Sequence, residues 1–448
     1  MLSPQQAEER CHALIERARR LGAESGDATY HGSSAESVQV RLGKLEDVER
    51  SESEQISLRV FVGGASASIG SSDLGDAALD ELAERAVAMA RLAPVDPYAG
   101  LAREDLLLRA PAPELDLEDA GAVDPAQLRR LAEEAEDAAR SVDGITNSEG
   151  ASASAGAGIF ALATSHGFAG SYGATSYSLS ASVLGGEGSE MQRDSAWRSA
   201  RHFADLPSPD VIGRLAAERT LRRLAPGRVR SGPATVVFDP RVGGSLVGHL
   251  LGAMSGAAIA RRASFLLGRD GAQLFDRSIT LLDEPHRLRG LRSRPFDGEG
   301  LPTAPRKLIE DGRLTGWMMD SAAARQLGGE PTGHAGRGGS GAPHVTPSNL
   351  VIQPGAVGPA DLIADIAEGV YVTELIGQGV NGVTGDYSRG ASGFRIVDGA
   401  IAGPIAEFTV AGNLIEMFPA MRVADDLLIE RGIDVPTIRI DGMSVAGD

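Results

Sequence analysis

One short segment of the chain has the residue types and spacing for metal chemistry. A zinc site built on a helix needs two imidazoles about one turn apart and a glutamate beside the first to activate the bound water. The helix predicted for residues 243–262 has His249 in the place of the second imidazole. Gly244 and Ser245 stand where the first histidine and the glutamate would be. The segment is therefore interpreted as a zinc site that lacks most of its ligands.

The residues that follow the histidines show whether such a site could lie anywhere else in the chain. The eight histidines are followed by Ala, Gly, Gly, Phe, Leu, Arg, Ala and Val, so the sequence contains no His-Glu pair. Without that glutamate, no side chain next to the metal can take a proton from a bound water. The sequence excludes a hydrolytic zinc site of the His-Glu helical type, and His249 is interpreted as a core or interface histidine.

A second group of residues offers oxygen and nitrogen donors elsewhere in the chain. Asp283, Glu284 and His286 stand close together, and His334 and His344 follow in a long glycine-bearing loop, residues 332–348. Carboxylates and imidazoles are common metal ligands. A solvated turn explains the first three residues equally well. These five residues remain the alternative candidates for a metal site.

Two other segments partly match the residue spacing of known catalytic or binding loops. Gly243 and Gly248 have the glycine spacing of a phosphate-binding loop, but His249 and Leu250 replace its lysine and its Ser/Thr, which disfavours nucleotide binding. Ser171 is flanked by glycines like the serine of a nucleophile elbow, which requires a strand, a turn and then a helix. Strand-like residues lie on both sides of Ser171, so it is interpreted as the serine of a β-turn.

Composition limits the class of protein. A chain of 448 residues with 42% hydrophobic residues is expected to fold into two domains. No apolar run approaches the roughly 20 residues needed to cross a bilayer, and the acidic N-terminus lacks the pattern of a signal peptide. Cys11 is the only cysteine, which excludes an intrachain disulfide and predicts a reducing, cytoplasmic location. The net charge of −18 disfavours binding to nucleic acid or to anionic membranes.

Hydrophobic periodicity predicts the elements that position these residues. In the first half, helices are expected at about residues 1–21, 76–92, 125–141 and 208–224. Strands are expected at residues 27–31, 37–49 and 55–69, with a turn or bulge at Lys44–Asp47 and another at Gly63–Gly64. Residues 145–200 are rich in Gly, Ala and Ser, and their alternation favours antiparallel strands over disorder.

The second half of the chain is predicted to be mostly β. Two hairpins are expected at residues 307–317 and 394–401, where Asp311–Gly312 and Asp398–Gly399 supply the positive φ angles of a type I′ turn. The predicted fold class is α+β. A helix-and-sheet domain, residues 1–225, precedes a mostly antiparallel β domain with a few helices, residues 226–448.

Five segments of the second half resemble the signature of the TldD/PmbA family. In family order they are SFL at 264–266, PFDGEG at 295–300, TGHAG at 332–336, TELIGQGVNGVTGDYSRGASGF at 373–394 and AGNL at 411–414. An ordered set of this length between about residues 230 and 420 is not expected by chance. The chain is therefore identified by resemblance as a member of this family.

The resemblance implies a two-protein peptidase. In the family, TldD-type subunits hold zinc with a His-Glu-x-x-x-His motif and a cysteine near the C-terminus, whereas PmbA (TldE) subunits lack that site and pair with TldD. Gly244, Ser245 and His249 fall on the motif positions, and no cysteine follows Asn413. The chain thus resembles a PmbA/TldE subunit. A single imidazole cannot hold zinc tightly, since zinc sites use three or four protein ligands.

These observations lead to an expected role for the chain. It is expected to be the non-catalytic subunit of a complex that cleaves unfolded or extended peptides and precursor peptides. It should have no catalytic residue, metal ligand or cofactor of its own, and zinc is expected in a TldD-like partner. Peptide substrates could add as a strand to a Gly- and Ser-rich sheet edge. The isolated chain could form a homodimer. Two alternatives stay open: an independently active metal-dependent peptidase, or a peptide-binding regulatory module without peptidase activity.

Overall fold

The computed structural model describes residues 1–121, 123–339 and 341–447 of the chain. The α-helices are α1 (Pro4–Arg20), α2 (Asp76–Leu92), α3 (Pro125–Arg140), α4 (Pro209–Arg222), α5 (Pro240–Met254), α6 (Gly256–Ala260), α7 (Ser321–Leu327), α8 (Pro359–Ile363) and α9 (Leu414–Met417). No helix within the described residues is both long enough and apolar enough to cross a membrane.

The strands of the first half are β1 (Ser25–Arg41), β2 (Lys44–Val62), β3 (Ala65–Ser71), β4 (Ile145–Thr164), β5 (Ala169–Gly185) and β6 (Gln192–Ala200). Those of the second half are β7 (Gly232–Phe238), β8 (Leu281–Asp283), β9 (Arg306–Glu310), β10 (Arg313–Leu314), β11 (Ala335–Gly336), β12 (His344–Val345), β13 (Leu350–Ile352), β14 (Glu368–Ile376), β15 (Asp386–Val397), β16 (Ala400–Asn413), β17 (Met421–Val423), β18 (Ile433–Asp434) and β19 (Ile438–Ala446). The α+β class predicted from the sequence is confirmed.

The first half is one antiparallel sheet with the strand order β3-β2-β1-β4-β5-β6, covered by helices on one face. Helices α1 and α2 pack on one end of that face, against Ala28 and Tyr30 of β1. Helices α3 and α4 pack on the other end, against Val38 and Val40 of the same strand. These four residues are separated by even numbers of positions along β1. Side chains alternate between the two faces of a strand, so all four lie on one side of the sheet. The opposite face is left for small side chains.

That opposite face is lined mainly by Gly, Ala and Ser. The hydroxyls of Ser33 and Ser53 hydrogen-bond across β1 and β2 (2.7 Å), and those of Ser154 and Ser178 do so across β4 and β5 (2.7 Å). The prediction of antiparallel strands between residues 145 and 200 is confirmed. The predicted break between residues 31 and 37 is wrong, because β1 continues through it with ladder partners in both β2 and β4.

Turn chemistry decides where the hairpins close. The chain turns at Leu42 and Gly43, where φ is positive (52° and 71°). The turn or bulge expected at Lys44–Asp47 is a bulge, because Gln39 pairs with Asp47 and Val40 with Leu45, which leaves Glu46 without a ladder partner in β1. The Asp-Gly turn of the second half is as predicted: Asp311 and Gly312 have φ of 47° and 75°. A Cβ on Gly312 would lie 2.3 Å from the Phe275 carbonyl oxygen, so only glycine fits there.

The second half contains two larger sheets. One has the order β16-β15-β14-β7-β19-β17, and β16 also pairs with β19, so the sheet closes on itself. The other has the order β10-β9-β8-β13-β18. Helix α5 follows the central strand β7 and buries Leu246, Leu250 and Met254 in the core of this half. The division predicted at residues 225 and 226 falls between α4 and β7, and stays a prediction.

The helix predicted for residues 243–262 is divided. α5 ends at Met254, and Ser255 has extended backbone angles (φ −62°, ψ 124°) before α6 begins. Ser255 forms a bridge with Met318, since Gly256 donates to the Met318 carbonyl (2.8 Å) and Met318 donates to that of Met254 (3.1 Å). A tertiary contact therefore takes the hydrogen bonds that would continue the helix.

Candidate functional site

Helix α5 carries the segment with the spacing of a zinc site. The side chain of Asp239 caps its N-terminus by accepting from the backbone N–H of Arg241 (2.9 Å), and Pro240 occupies the first turn. These caps begin the helix ahead of the motif. Gly244, Ser245 and His249 therefore lie within regular helix, and the glycine spacing that imitated a phosphate-binding loop is helical as well.

Neither of the first two motif positions offers a donor to a metal. A Cβ on Gly244 would make ordinary contact with the Ile433 carbonyl oxygen, at 3.4 Å. The Ser245 hydroxyl donates to the Val242 carbonyl of its own helix (2.7 Å). Ser245 is thus occupied by a local hydrogen bond, which is the usual role of serine inside a helix.

His249 lies beside two buried polar residues of β15, Tyr387 and Arg389. The ring centroids of His249 and Tyr387 are 6.1 Å apart and nearly perpendicular. Burial lowers the pKa of His249, and the charge of Arg389 lowers it further. We call these three residues the α5 polar cluster. The donor set of one imidazole, one phenol and one guanidinium does not fit a zinc ion, because an adjacent positive charge opposes a cation and Arg cannot act as a ligand.

The remaining donors of the described chain do not supply a metal site either. Among the described residues, no group of three or more His, Cys, Asp or Glu is arranged to hold a metal ion. Cys11 is buried on α1 in the first half. Burial raises the pKa of its thiol far above the usual range, and the negative charges of Glu8 and Asp27 raise it further. It stays a neutral thiol and packs as a small hydrophobic residue.

Two of the alternative metal ligands meet in the structure. His334 Nε2 lies 3.1 Å from Asp283 Oδ2, and both side chains are buried. Asp283 Oδ1 accepts from the N–H and the hydroxyl of Ser348 (2.8 and 2.7 Å), and His334 Nδ1 lies 2.8 Å from the hydroxyl of Thr332. Each polar atom of the pair already has a partner, which is the pattern of a structural network.

The other three alternative ligands lie apart from that pair. Glu284 forms an ion pair with Arg287. His286 Nε2 lies 2.9 Å from the Thr303 hydroxyl, and burial lowers its pKa. His344 is exposed on β12. Asp283 and His334 are therefore the only two of the five predicted residues that the described structure brings into contact.

Ser171 is a strand residue. It lies inside β5, its ladder partner is Ala161 of β4, and its hydroxyl donates to Glu8 of α1. A nucleophile elbow needs a helix directly after the serine, and strand follows instead. The interpretation as a β-turn serine is wrong by a few residues, since the turn precedes Ala169.

A buried charge network, which the sequence reasoning missed, joins the two halves. Asp27 of β1 accepts from Arg59 of β2 (3.1 Å) and from Arg337 of the second half (2.5 Å). Arg337 also donates to the Gly298 carbonyl (2.7 Å), and Glu299 accepts from Ser321, at 2.8 Å from both its N–H and its hydroxyl. We call Asp27, Arg59, Asp297, Glu299 and Arg337 the junction cluster.

Opposed pKa shifts mark the carboxylates of this cluster. Burial opposes ionisation of Asp27, but the charges of Arg337 and Arg59 outweigh it and lower its pKa. Burial raises the pKa of Asp297 to about 7, and the charge of Glu299 adds to the effect. Burial also raises the pKa of Glu299. Asp297 and Glu299 belong to the PFDGEG segment, so this part of the signature contributes to the joint between the halves.

Two cavities open on the small-residue face of the first sheet. One, of about 370 Å³, is lined by His31, Tyr172 and Arg201 among glycines and serines. The other, of about 420 Å³, is lined by serines of β4, β5 and β6 and by Glu149 and Arg193. Both are open and partly polar, which suits an extended chain better than a compact apolar ligand.

Family models for three consecutive domains match this chain. The PmbA/TldA metallopeptidase domain 1 matches residues 26–90, the central domain matches residues 118–224, and the C-terminal domain matches residues 231–447. Metalloprotease PmbA of Escherichia coli O157:H7 is 37% identical over 92% of this chain and 90% of its own length. The chain belongs to the PmbA/TldD family. The Haemophilus influenzae PmbA homolog is 36% identical over 97% of this chain and 94% of its own.

Solved structures show the same fold. A Bacteroides thetaiotaomicron protein, whose name proposes a modulator of DNA gyrase, superposes with a TM-score of 0.90 at 27% identity over the full length of both chains. TldE of Thermococcus kodakarensis superposes with a TM-score of 0.85, at 22% identity, over 97% of this chain and 99% of its own. The second likeness concerns the fold alone. Relatives named metalloproteases associate the family with a metal.

Proposed function

We propose that this chain is a non-catalytic PmbA/TldE-type subunit of a TldD/TldE zinc metallopeptidase complex. The single observation that carries the proposal lies on helix α5, where Gly244 and Ser245 occupy the positions of a ligand and a general base. A hydrolytic zinc centre needs three protein ligands and a base near the bound water. In this proposal the TldD-type partner supplies that centre, and this chain supplies binding surface.

The proposed substrate is an unfolded or extended peptide, including precursor peptides. The outer edge of β2 supports this, because β3 pairs only with residues 56–62 and leaves residues 44–55 paired on one side, with β1. An unpaired strand edge can take an extended peptide through main-chain hydrogen bonds. The two cavities lie further along the same sheet, over β1, β4, β5 and β6, and leave room for varied side chains. Together these features favour binding of extended chain with little sequence preference.

Reconstitution tests the proposal. A TldD-like protein from the same cell would be purified with and without this chain, and cleavage of an unfolded test protein would be followed with each. We expect cleavage to require both chains, zinc to be found in the complex, and the isolated chain to contain less than stoichiometric zinc. Undiminished cleavage by the partner alone would contradict the proposed role.

A histidine variant separates ligand loss from general damage. We expect His249→Ala in this chain to leave the zinc content of the complex unchanged, as should the matched variant His12→Ala on the exposed side of α1. A loss of zinc from the His249 variant alone would make His249 a ligand. Persistent recovery of this chain with a partner that is not an enzyme would instead support a peptide-binding regulatory module.

A further inference from the structure

Three polar atoms beside α5 lack hydrogen-bond partners. His249 Nε2, Tyr387 Oη and Arg389 Nε are each buried, and none has a partner among the described residues. Tyr387 is 1% exposed and Arg389 is 9% exposed. Tyr387 and Arg389 are two positions apart on β15, with no bulge between them. Both side chains therefore lie on the sheet face that packs against the core. Buried polar groups in folded proteins are nearly always paired, so three orphans at one place require an explanation.

The missing partner must be an acceptor with negative charge. Within the described chain, Arg389 makes one hydrogen bond, from Nη2 to the Leu375 carbonyl (3.4 Å), and no ion pair. A guanidinium can only donate, and a buried charge without a counter-ion is costly. The phenol hydroxyl of Tyr387 can donate as well. The α5 polar cluster is therefore a buried, positive and donor-rich group, which suits an anion.

One face of helix α5, beside His249, is open to an approaching chain. Gly248 and Gly252 are exposed and lie on one face of the helix, four residues apart. A Cβ added at either position would meet nothing within 4 Å, so the space above this face is free. Helix positions without side chains permit another backbone to come close. His249 follows Gly248 on the helix and is half-buried, and its ring contacts Tyr387 of β15.

We propose that His249, Tyr387 and Arg389 bind a carboxylate of an extended peptide that crosses α5 over Gly248 and Gly252. The inference rests on the proposed function in one respect, that the ligand is a peptide. A carboxylate can accept from the Arg389 guanidinium and the Tyr387 hydroxyl at once, and charge-assisted hydrogen bonds are the strong ones. The carboxylate could be the C-terminus of the peptide or an Asp or Glu side chain, and the test separates the two.

Equilibrium binding to the isolated full chain is the test. The probe is a short N-terminally labelled peptide of Ala, Ser and Gly with a free C-terminal carboxylate, followed by fluorescence anisotropy. Two others are compared with it: its C-terminal amide, and the amide with one internal Glu. We expect the simple amide to bind at least about tenfold more weakly than the free acid. Rescue by the internal Glu assigns the site to side-chain carboxylates, and no rescue assigns it to the C-terminus.

Variants tie this binding to the cluster. Tyr387→Phe and Arg389→Gln should each weaken binding of the carboxylate peptide by about tenfold, whereas Arg306→Gln on exposed β9 should not change it. Tyr387→Phe removes a hydroxyl without a partner and should fold, so it decides the matter if Arg389→Gln does not fold. Equal affinity for acid, amide and Glu-containing peptides would overturn the inference. Failure to find a TldD-like partner would overturn the proposed function and leave this binding result intact.

Discussion

The junction cluster and the α5 polar cluster both contain buried arginine, but they differ in what balances its charge. In the junction cluster, Asp27 bridges Arg59 and Arg337 across the two halves, and all three side chains are buried. In the α5 polar cluster, Arg389 is buried without a carboxylate among the described residues. The first arrangement is complete in the folded chain. The second acquires its counter-charge only when something binds.

This difference separates stability from binding. A paired buried charge contributes to the unique arrangement of a fold, and removal of one partner is strongly destabilising. An unpaired buried polar group costs free energy and persists where it serves a function. We therefore expect substitutions in the junction cluster to act on the free energy of unfolding. Substitutions in the α5 polar cluster should act on affinity and leave stability largely unchanged.

The largest effect is expected from Asp27→Asn. The amide keeps the shape of the side chain but leaves the buried guanidiniums of Arg59 and Arg337 without a counter-charge. The free energy of unfolding should fall by about 3–5 kcal/mol, measured by urea denaturation at neutral pH. Asp76→Asn is the matched control, because Asp76 pairs with Arg17 at the surface. That control should cost less than about 1 kcal/mol. Equal losses of unfolding free energy in the two variants would show that the buried charges of the junction cluster stabilise the fold no more than a surface ion pair does.

The next effect is a dependence of stability on pH that originates at Asp297. Its pKa in the folded protein is raised to about 7 from a usual value of 3.8. Between these pH values the folded state binds more protons than the unfolded state, so stability should fall as the pH rises from about 4 to 7. The slope for one group is at most about 1.4 kcal/mol per pH unit. Asp27 has a lowered pKa, stays ionised in both states above pH 5, and adds no slope there.

Comparison with Asp297→Asn isolates this contribution. Glu299, whose pKa burial also raises, is present in both proteins. The variant should therefore show a flatter decline in stability between pH 5 and 7 than the parent protein, whatever its absolute stability. Urea denaturation at several pH values provides the two slopes. Identical slopes would show that Asp297 is ionised throughout this range in the folded protein.

Tyr387→Phe is expected to have a smaller effect on the free energy of unfolding, and in the opposite direction. The Tyr387 hydroxyl is buried without a partner among the described residues, and such a group costs about 1–3 kcal/mol. Its removal should leave the free energy of unfolding unchanged or raise it by about 1 kcal/mol. Tyr30→Phe is the matched control, since the Tyr30 hydroxyl donates to Glu54 (2.6 Å) and accepts from the N–H of Leu2 (3.0 Å).

The control should lose stability, by about 1–2 kcal/mol. Thermal unfolding of both variants under one condition provides the comparison. If the two substitutions cost the same, Tyr387 has a partner in the unliganded protein, and the contrast between the two clusters is lost.

Local signals explain which parts of the molecule the sequence predicts. The helices before residue 225 follow from their apolar periodicity, and the Asp-Gly turns at residues 311–312 and 398–399 follow from the φ angles that such turns need. The absence of a His-Glu pair on α5 is also a local feature, because Gly244, Ser245 and His249 lie within two turns of one helix. These features depend on residues close in sequence, where patterns are informative.

The features that the sequence did not predict depend on distant residues. The break at Ser255 comes from a bridge to Met318, which competes with continuation of the helix. Asp27 and Arg337 are 310 positions apart, so no local pattern pairs them. Arg389 stands in a glycine-rich signature that carried the family resemblance, and only the fold brings it next to His249. These contacts can be predicted only when the positions of the strands in space are known.

The smallest effect is expected from Ser245→Ala, and it defines the edge of the α5 polar cluster. Ser245 lies one turn before His249, but its hydroxyl already donates to the Val242 carbonyl of its own helix. Loss of this bond is offset by the higher helix propensity of alanine, so stability should change by less than about 0.5 kcal/mol. Affinity for the carboxylate peptide should stay within twofold, about the same 0.5 kcal/mol. A larger loss of affinity would place Ser245 in the cluster, and the site would then extend along α5 towards Gly244.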